Sequence, residues 1–368
     1  MGEFTAEDHR FMAAALRQAA LGLTSTSPNP RVGCVIVRDG KVVGQGWHER
    51  AGEAHAEVHA LQAAGQLARG STAYVTLEPC AHHGRTPPCT EALIGAGVRR
   101  VVAAMQDPNP AVSGRGLARL ADAGVDSACG LMADEAEELN CGFVSRMRRG
   151  RPWLRIKSAA SLDGRIALAN GVSQWISSAA SRTDAHQWRA RSCAILTGVG
   201  TILHDDPQLT VRAVDCGRQP IKVVVDSRLR MPPTARLLAS GRVLVACAEM
   251  DDDKANALQA RGAEILHLPG ADGRVDLWAV LRTLANQGVN EVLGEAGPTL
   301  GGALLTGGCV DELLLYLAPK ILGSGARALF DMADLTALDQ AIDWRIHELR
   351  QIDRDLRLRL RPPPASRG

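Results

Sequence analysis

Three residues able to bind a soft metal lie within thirty-five positions of one another, and a carboxylate accompanies them. His55 is followed two positions later by Glu57, and Cys80 and Cys89 sit in Thr76-Leu77-Glu78-Pro79-Cys80-Ala81-His82-His83-Gly84-Arg85-Thr86-Pro87-Pro88-Cys89. One imidazole and two thiolates fill three positions of a tetrahedral zinc site and leave the fourth for water. That is the pattern of a catalytic centre, because a structural one is closed by four protein ligands. Zinc lowers the pKa of bound water toward ~7, and a neighbouring carboxylate can carry the released proton to a departing amine. Each residue also has an ordinary use: a Cys is often a small core hydrophobe, and Gly84 or Pro87-Pro88 can mark a plain surface turn. The combination and order favour the metal.

H-x-E joined to a later P-C…C pair, with the Glu not a ligand, is the signature of zinc deaminases. The general form closes with C-x-x-C, whereas residues 81–88 separate Cys80 from Cys89 here. The variant P-C-x-H-x-G-R-T-P-P-C, with His-Ala-Glu upstream, resembles the deaminase domain of the bifunctional riboflavin-biosynthesis deaminase–reductases. The resemblance implies one zinc per chain on His55, Cys80 and Cys89, with Glu57 as proton shuttle and His82 and His83 outside the ligand set. It also implies that Asn29, at the start of a strand, meets the pyrimidine; a turn Asn is the alternative. The expected reaction removes an amino group from 2,5-diamino-6-(5-phosphoribosylamino)pyrimidin-4-one. A second domain would then reduce the ribosyl chain to ribityl with NADPH.

The second half carries K-x-A-x-S-L-D-G-R from Lys157, S-Q-W-I from Ser173, L-x-D-D-P-x-L-T-V-R from Leu203, V-D-S from Val225 and E-A-G-P-T-L from Glu295. Together these look like the family's reductase domain, which is similar in fold to dihydrofolate reductase. No G-x-G-x-x-G follows a first strand, in keeping with a non-Rossmann domain. A Gly-rich turn opening a helix offers free N–H groups to an anion, and Gly297 to Ala303 has that form, although small residues also serve close packing. By resemblance, Gly297, Pro298, Thr299, Leu300, Gly301, Gly302 and Ala303 meet NADPH, as do Ala159, Trp175, Thr201, Asp205 and Ser227. Ser173, Arg189, Leu209, Arg212 and Glu295 match substrate contacts. Planar bidentate donors suit a ribose 5-phosphate, but Arg189 and Arg212 could equally be solvated surface charges. Lys157, Asp205 and Glu295 are the proton-donor candidates. Gly294 stands where an apolar strand residue is expected and should loosen the strand before Glu295.

The elements that must hold these groups alternate along the chain. Thr5 and Asp8 signal a helix start, and Val32 to Val37 and Val42 to Trp47 flank an Asp39-Gly40 hairpin. A helix follows from His55 to Ala64, then a strand from Ala73 to Leu77. Helix and strand continue to alternate to a last helix over 133–147, which implies an α/β layer with a mostly parallel sheet. The basic run at 148–152 reads as a boundary. The expected organisation is a deaminase domain over 1–149, cytidine-deaminase-like with three α/β layers, and a dihydrofolate-reductase-like α/β domain over 150–368. Residues 228–290 carry no usable motif.

At 368 residues, 46% hydrophobic and 22% charged, the chain has globular composition and length for two cores. A net charge of +2 and 3% aromatics give no footprint for nucleic acid, so the expected partner is a small molecule. No apolar run is long enough to span a membrane. Nine cysteines, an odd number scattered in apolar runs, suit reduced thiols in the cytoplasm. Oligomeric state is open, a homo-oligomer included. Two other readings remain: a deaminase with an inactive C-terminal scaffold, and a zinc-stabilised nucleic-acid binder.

Overall fold

A computed structural model describes residues 4–81, 87–110 and 112–364; His82 and His83 lie outside the described residues. The chain separates into two compact units, Met1–Arg151 and Pro152–Gly368.

In the first unit, α1 (Ala6–Ala20) opens on a capping box: Asp8 N–H donates to Thr5 Oγ1, and Thr5 N–H donates back to the Asp8 carboxylate. Strands β1 (Gly33–Arg38) and β2 (Lys41–Trp47) form the hairpin. Asp39 and Gly40 both take positive φ, 51° and 71°, as a two-residue primed turn demands. Then come α2 (Ala56–Ala64), β3 (Thr72–Val75), α3 (Cys89–Gly95), β4 (Arg100–Ala103), α4 (Arg115–Asp122), β5 (Asp126–Cys129), α5 (Ala133–Leu139) and α6 (Cys141–Arg149). The sheet order is β2-β1-β3-β4-β5; β3, β4 and β5 are parallel, and β1 is antiparallel to both neighbours.

Side chains alternate across β1. Cys34 and Ile36 pack with Ala56, Ala60 and Leu93, while Val35 and Val37 pack with Phe11, Met12 and Ala136. Helices thus cover both sheet faces. The single helix expected over 133–147 is two, broken at Asn140. Its buried amide accepts from Arg31 N–H at 2.8 Å and donates to the Arg31 carbonyl at 2.9 Å, so tertiary bonds displace helix continuity there.

The second unit runs β6 (Trp153–Ser161), β7 (Arg165–Ala167), α7 (Ala179–Arg191), β8 (Ala194–Gly198), α8 (Val199–Asp205), β9 (Ile221–Val225), β10 (Val243–Cys247), α9 (Asp252–Gln259), β11 (Ala263–His267), α10 (Leu277–Asn286), β12 (Glu291–Gly294), α11 (Pro298–Thr306), β13 (Glu312–Ala318), β14 (Arg327–Ala328), β15 (Arg345–Ile352) and β16 (Asp355–Arg361). Its large sheet has the order β11-β10-β9-β8-β12-β6-β13-β16-β15. All pairs from β11 to β13 are parallel, and β16 and β15 close the edge antiparallel. β7 and β14 form a separate small pair. Elements α8, α9, β7, β14 and β15 had no sequence expectation. β15 is mostly exposed and rich in charge, so its pattern lacks the apolar alternation that announces a strand.

The loosening expected at Gly294 does not occur. Gly294 pairs with both Ile156 and Leu196, and Glu295 N–H continues the ladder to the Leu196 carbonyl at 2.8 Å. Beneath α7 the sheet buries an ionic cluster. Glu312 accepts from Arg155, Arg359 and Arg361 at 2.5–3.0 Å, and Glu291 accepts from Arg155 and Arg191. The Trp188 ring lies 4.5 Å from the Arg155 guanidinium and 5.3 Å from that of Arg359.

Candidate active sites

In the first unit the site grows from the start of α2. Gly46 on β2 lets that helix lie close: a Cβ there would sit 2.5 Å from His59 Cβ and 2.8 Å from the Ala56 carbonyl oxygen. His55 is the residue before the helix and Glu57 falls in its first turn. Cys80 follows β3 and Cys89 begins α3, so three separate elements converge. His55 Nδ1 lies 3.2 Å from Cys89 Sγ and 3.6 Å from Cys80 Sγ, and all three ligand atoms fall within 4.8 Å of one another. Nitrogen and sulfur ligands around tetrahedral zinc stand roughly 3.5 Å apart, given bonds of about 2.1 and 2.3 Å, so these residues fit the ion.

Electrostatics agree with the geometry. The Cys80 thiol is drawn down to about 4 by its hydrogen bonds from Cys89 and His55 against the cost of burial, and Cys89, the donor in that pair, is pushed up. Burial pushes the Glu57 carboxyl up, with His55 opposing. Glu57 Oε2 is buried and has no hydrogen-bond partner among the described residues, the condition of a group kept for a ligand. His48, which sequence reasoning missed, supports Asn29. A carbonyl only accepts, so the 3.1 Å contact to the Ala54 carbonyl places the His48 proton on Nδ1. Nε2 then accepts from Asn29 Nδ2 at 3.0 Å, which leaves Asn29 Oδ1 to receive another donor. Burial depresses His48 and favours this neutral form.

The second unit has an open cleft of about 1700 Å³ at the carboxyl ends of the parallel strands, where open α/β sheets bind their ligands. Lys157, Ala159, Ser173, Trp175, Arg189, Thr201, Asp205, Leu209, Arg212, Ser227 and Glu295 line it, with Gly297, Pro298, Thr299, Leu300 and Ala303. Gly301 and Gly302 do not. Both are buried on the far side of α11, where a Cβ on Gly302 would sit 1.9 Å from the Asp331 carbonyl and one on Gly301 3.1 Å from the Phe330 ring. Their small size serves packing.

Inside the cleft, Arg189 grips Glu295 through two hydrogen bonds of 2.5 and 2.7 Å and donates a third, 3.0 Å, to the Thr210 carbonyl. Five N–H groups less three leaves two without a partner among the described residues. Burial alone would raise the Glu295 carboxyl, but the Arg189 charge and hydrogen bonds hold it at about 2. Burial lowers Lys157, with Glu295 opposing. Arg212 is exposed, as is Asp205, whose carboxylate meets His204 at 2.8 Å. Missed in the sequence, Arg228 and Arg274 also line the cleft near Ser227; they fall in the stretch without motifs.

A His-Cys-Cys centre with a buried carboxylate, followed by a separate unit with a cofactor-sized cleft, defines a zinc-dependent deaminase joined to a reductase. Residues 5–105 match the family model for the cytidine and deoxycytidylate deaminase zinc-binding region, and 152–358 match that of the RibD C-terminal domain. Riboflavin biosynthesis protein RibD of Escherichia coli (strain K12) is 50% identical over 96% of this chain and 99% of its own length. That of Haemophilus influenzae is 44% identical over 98% and 99%. The structure of Acinetobacter baumannii RibD, 44% identical, superposes with a TM-score of 0.89 over 97% of this chain and 99% of its own. That of the Thermotoga maritima diaminohydroxyphosphoribosylaminopyrimidine deaminase/5-amino-6-(5-phosphoribosylamino)uracil reductase, 31% identical, gives 0.85 over the same shares. The chain belongs to the bifunctional deaminase–reductases of riboflavin biosynthesis. Its cofactors are zinc and NADPH, and the scaffold and nucleic-acid-binder readings fall away. No helix among the described residues is long and apolar enough to cross a membrane.

Proposed function

We propose that the first unit hydrolyses the 2-amino group of 2,5-diamino-6-(5-phosphoribosylamino)pyrimidin-4-one, and that the second reduces the ribosyl chain of the product to ribityl. The observation that carries the first step is the buried Glu57 oxygen, unpartnered among the described residues, beside the His55–Cys80–Cys89 cluster. Zinc, held by those three residues, would supply the Lewis acidity that makes water nucleophilic near neutral pH. Glu57 takes the water's proton and returns it to the leaving amine; its raised pKa brings it nearer the pH at which it must do both. Asn29, held by His48, accepts from an N–H edge of the pyrimidine.

NADPH would supply a hydride to ribosyl C1 of the second substrate, and opening the ring then needs one proton at the ring oxygen. Glu295 is held ionised, so it accepts and cannot donate at neutral pH. Asp205 is exposed and engaged by His204. Lys157, half-buried in the cleft with a lowered pKa, is the donor that chemistry favours. Nine free cysteines support a reducing, cytoplasmic setting.

The test is a crossed assay. Glu57→Gln should keep its zinc and lose deamination by about 10²–10⁴-fold, yet still oxidise NADPH when given the pre-deaminated compound. Lys157→Met should release ammonia normally and leave the ribosyl group unreduced. Should Glu57→Gln also stop reduction while remaining folded, the assignment of one reaction to each unit is wrong.

A further inference from the structure

Two residues before Cys80, the side chain of Glu78 is buried and its carboxylate is saturated. Oε2 accepts from the backbone N–H groups of Asp107 at 3.1 Å and Gly114 at 2.9 Å, and Oε1 from those of Gly116 at 2.8 Å and Leu117 at 3.2 Å. Four donors fill the roughly four lone-pair positions an ionised carboxylate offers. Glu78 N–H adds a bond of 2.9 Å to the Met105 carbonyl.

Three of the four donors belong to the start of α4, where Gly114 is the cap residue and has no side chain to satisfy them. Exposed amides at a helix start attract an anion, and an internal one is supplied from the segment that carries Cys80. The contact is close on both sides: a Cβ on Gly116 would sit 1.9 Å from the Pro79 carbonyl oxygen. The first turn of α4 therefore presses on the residue between Glu78 and Cys80. From the other direction, the Cys80 carbonyl accepts from Thr90 N–H and Oγ1, and Cys80 Sγ accepts from Cys89 N–H at 3.3 Å. Cys80 follows β3 in a stretch with no regular structure of its own, so these tethers set where its sulfur lies.

We propose that Glu78 is a positioning residue of the metal centre: by binding the start of α4 it places Cys80 Sγ against His55 and Cys89. Gln in its place keeps shape but turns an NH₂ toward N–H donors, so two amides lose their acceptor. Asp keeps the charge but is one methylene short and must pull the loop or release α4. The inference rests on the zinc reading given above.

The experiment compares zinc-loaded, full-length Glu78→Gln and Glu78→Asp with the unaltered chain. It follows zinc release to a chelator, the absorption bands of the cobalt-substituted protein, deaminase kcat and KM, and NADPH oxidation with the pre-deaminated compound. Groups that orient metal ligands typically matter by 10–100-fold. Glu78→Gln should therefore release zinc about 10–100-fold faster, shift the cobalt bands and lower kcat by a similar factor with KM nearly constant. Glu78→Asp should fall between, and decides the matter if the Gln variant does not fold. Reduction should be unchanged in both. Folded variants with normal release, cobalt bands and kcat, or with a lowered melting temperature alone, would overturn the proposal. A zinc-free unaltered chain would instead overturn the metal reading beneath it.

Discussion

Arg189 and Arg212 carry the same charge yet stand in different conditions. Arg189 is bound by Glu295 and keeps two of its N–H groups, whereas Arg212 is exposed and, among the described residues, is engaged through its backbone N–H, by His186 at 3.4 Å. Charge-assisted hydrogen bonds are worth about 1.5–3 kcal/mol each. Arg212→Ala should accordingly raise KM for the reductase substrate by roughly 10–100-fold with kcat little changed. Arg189→Ala should lower kcat as well, because it also releases Glu295 beside Lys157. Steady-state kinetics over substrate concentration separate the two, and equal effects on both parameters would contradict this division of labour.

At the scale of elements, strand order spaces the two turns proposed to meet the cofactor. The Gly297–Leu300 turn follows β12 and Ser227 follows β9, two strands away across β8. Strands are spaced ~4.8 Å apart, so about 10 Å separates them, a span suited to a pyrophosphate at α11 and an adenosine ribose at Ser227. Val275 N–H donates to Ser227 Oγ at 3.3 Å, which brings Arg274 to the same corner as Arg228. Two guanidiniums there suit a 2′-phosphate. Replacing both by Ala should raise KM for NADPH at least tenfold and leave that for NADH unaltered. A parallel rise for NADH would show that they do not distinguish the cofactors.

For the whole molecule, buried carboxylates set the acid limit. Asp8 is held at about 2: burial opposes ionisation, but hydrogen bonds from Thr5, Tyr74 and Arg100 prevail. Glu295 is held at about 2, and Glu312 is also lowered, by Arg155 and Arg359 against burial. A carboxyl whose folded pKa is depressed adds stability above its unfolded value, ordinarily near 4, and loses it as pH falls toward the folded one. Both units should therefore lose melting temperature steadily from about pH 4.5 to pH 2. Glu312→Ala removes the buried carboxylate that Arg155, Arg359 and Arg361 share and should cost the second unit about 3–5 kcal/mol, measured by denaturant unfolding while the first unit keeps its own transition. A small loss would mean that the cluster relaxes into water.

Much of this was legible in the residues alone. His-x-Glu and the two cysteines specify a chemistry because zinc dictates ligand type, and Asp39-Gly40 specifies a hairpin because few other pairs adopt two positive φ angles. The break at Asn140 was not legible, since it depends on Arg31, more than a hundred positions away. Nor were Glu78, His48 or the packing role of Gly301 and Gly302. Each depends on which backbone groups a distant segment presents, and local pattern holds no record of that. Residue types and their spacing settle the kinds of groups, their order and most of the elements that bear them. Which partners saturate those groups, and which atoms stay open to a ligand, is settled by the folded chain, because a hydrogen bond is satisfied in space and not along the chain.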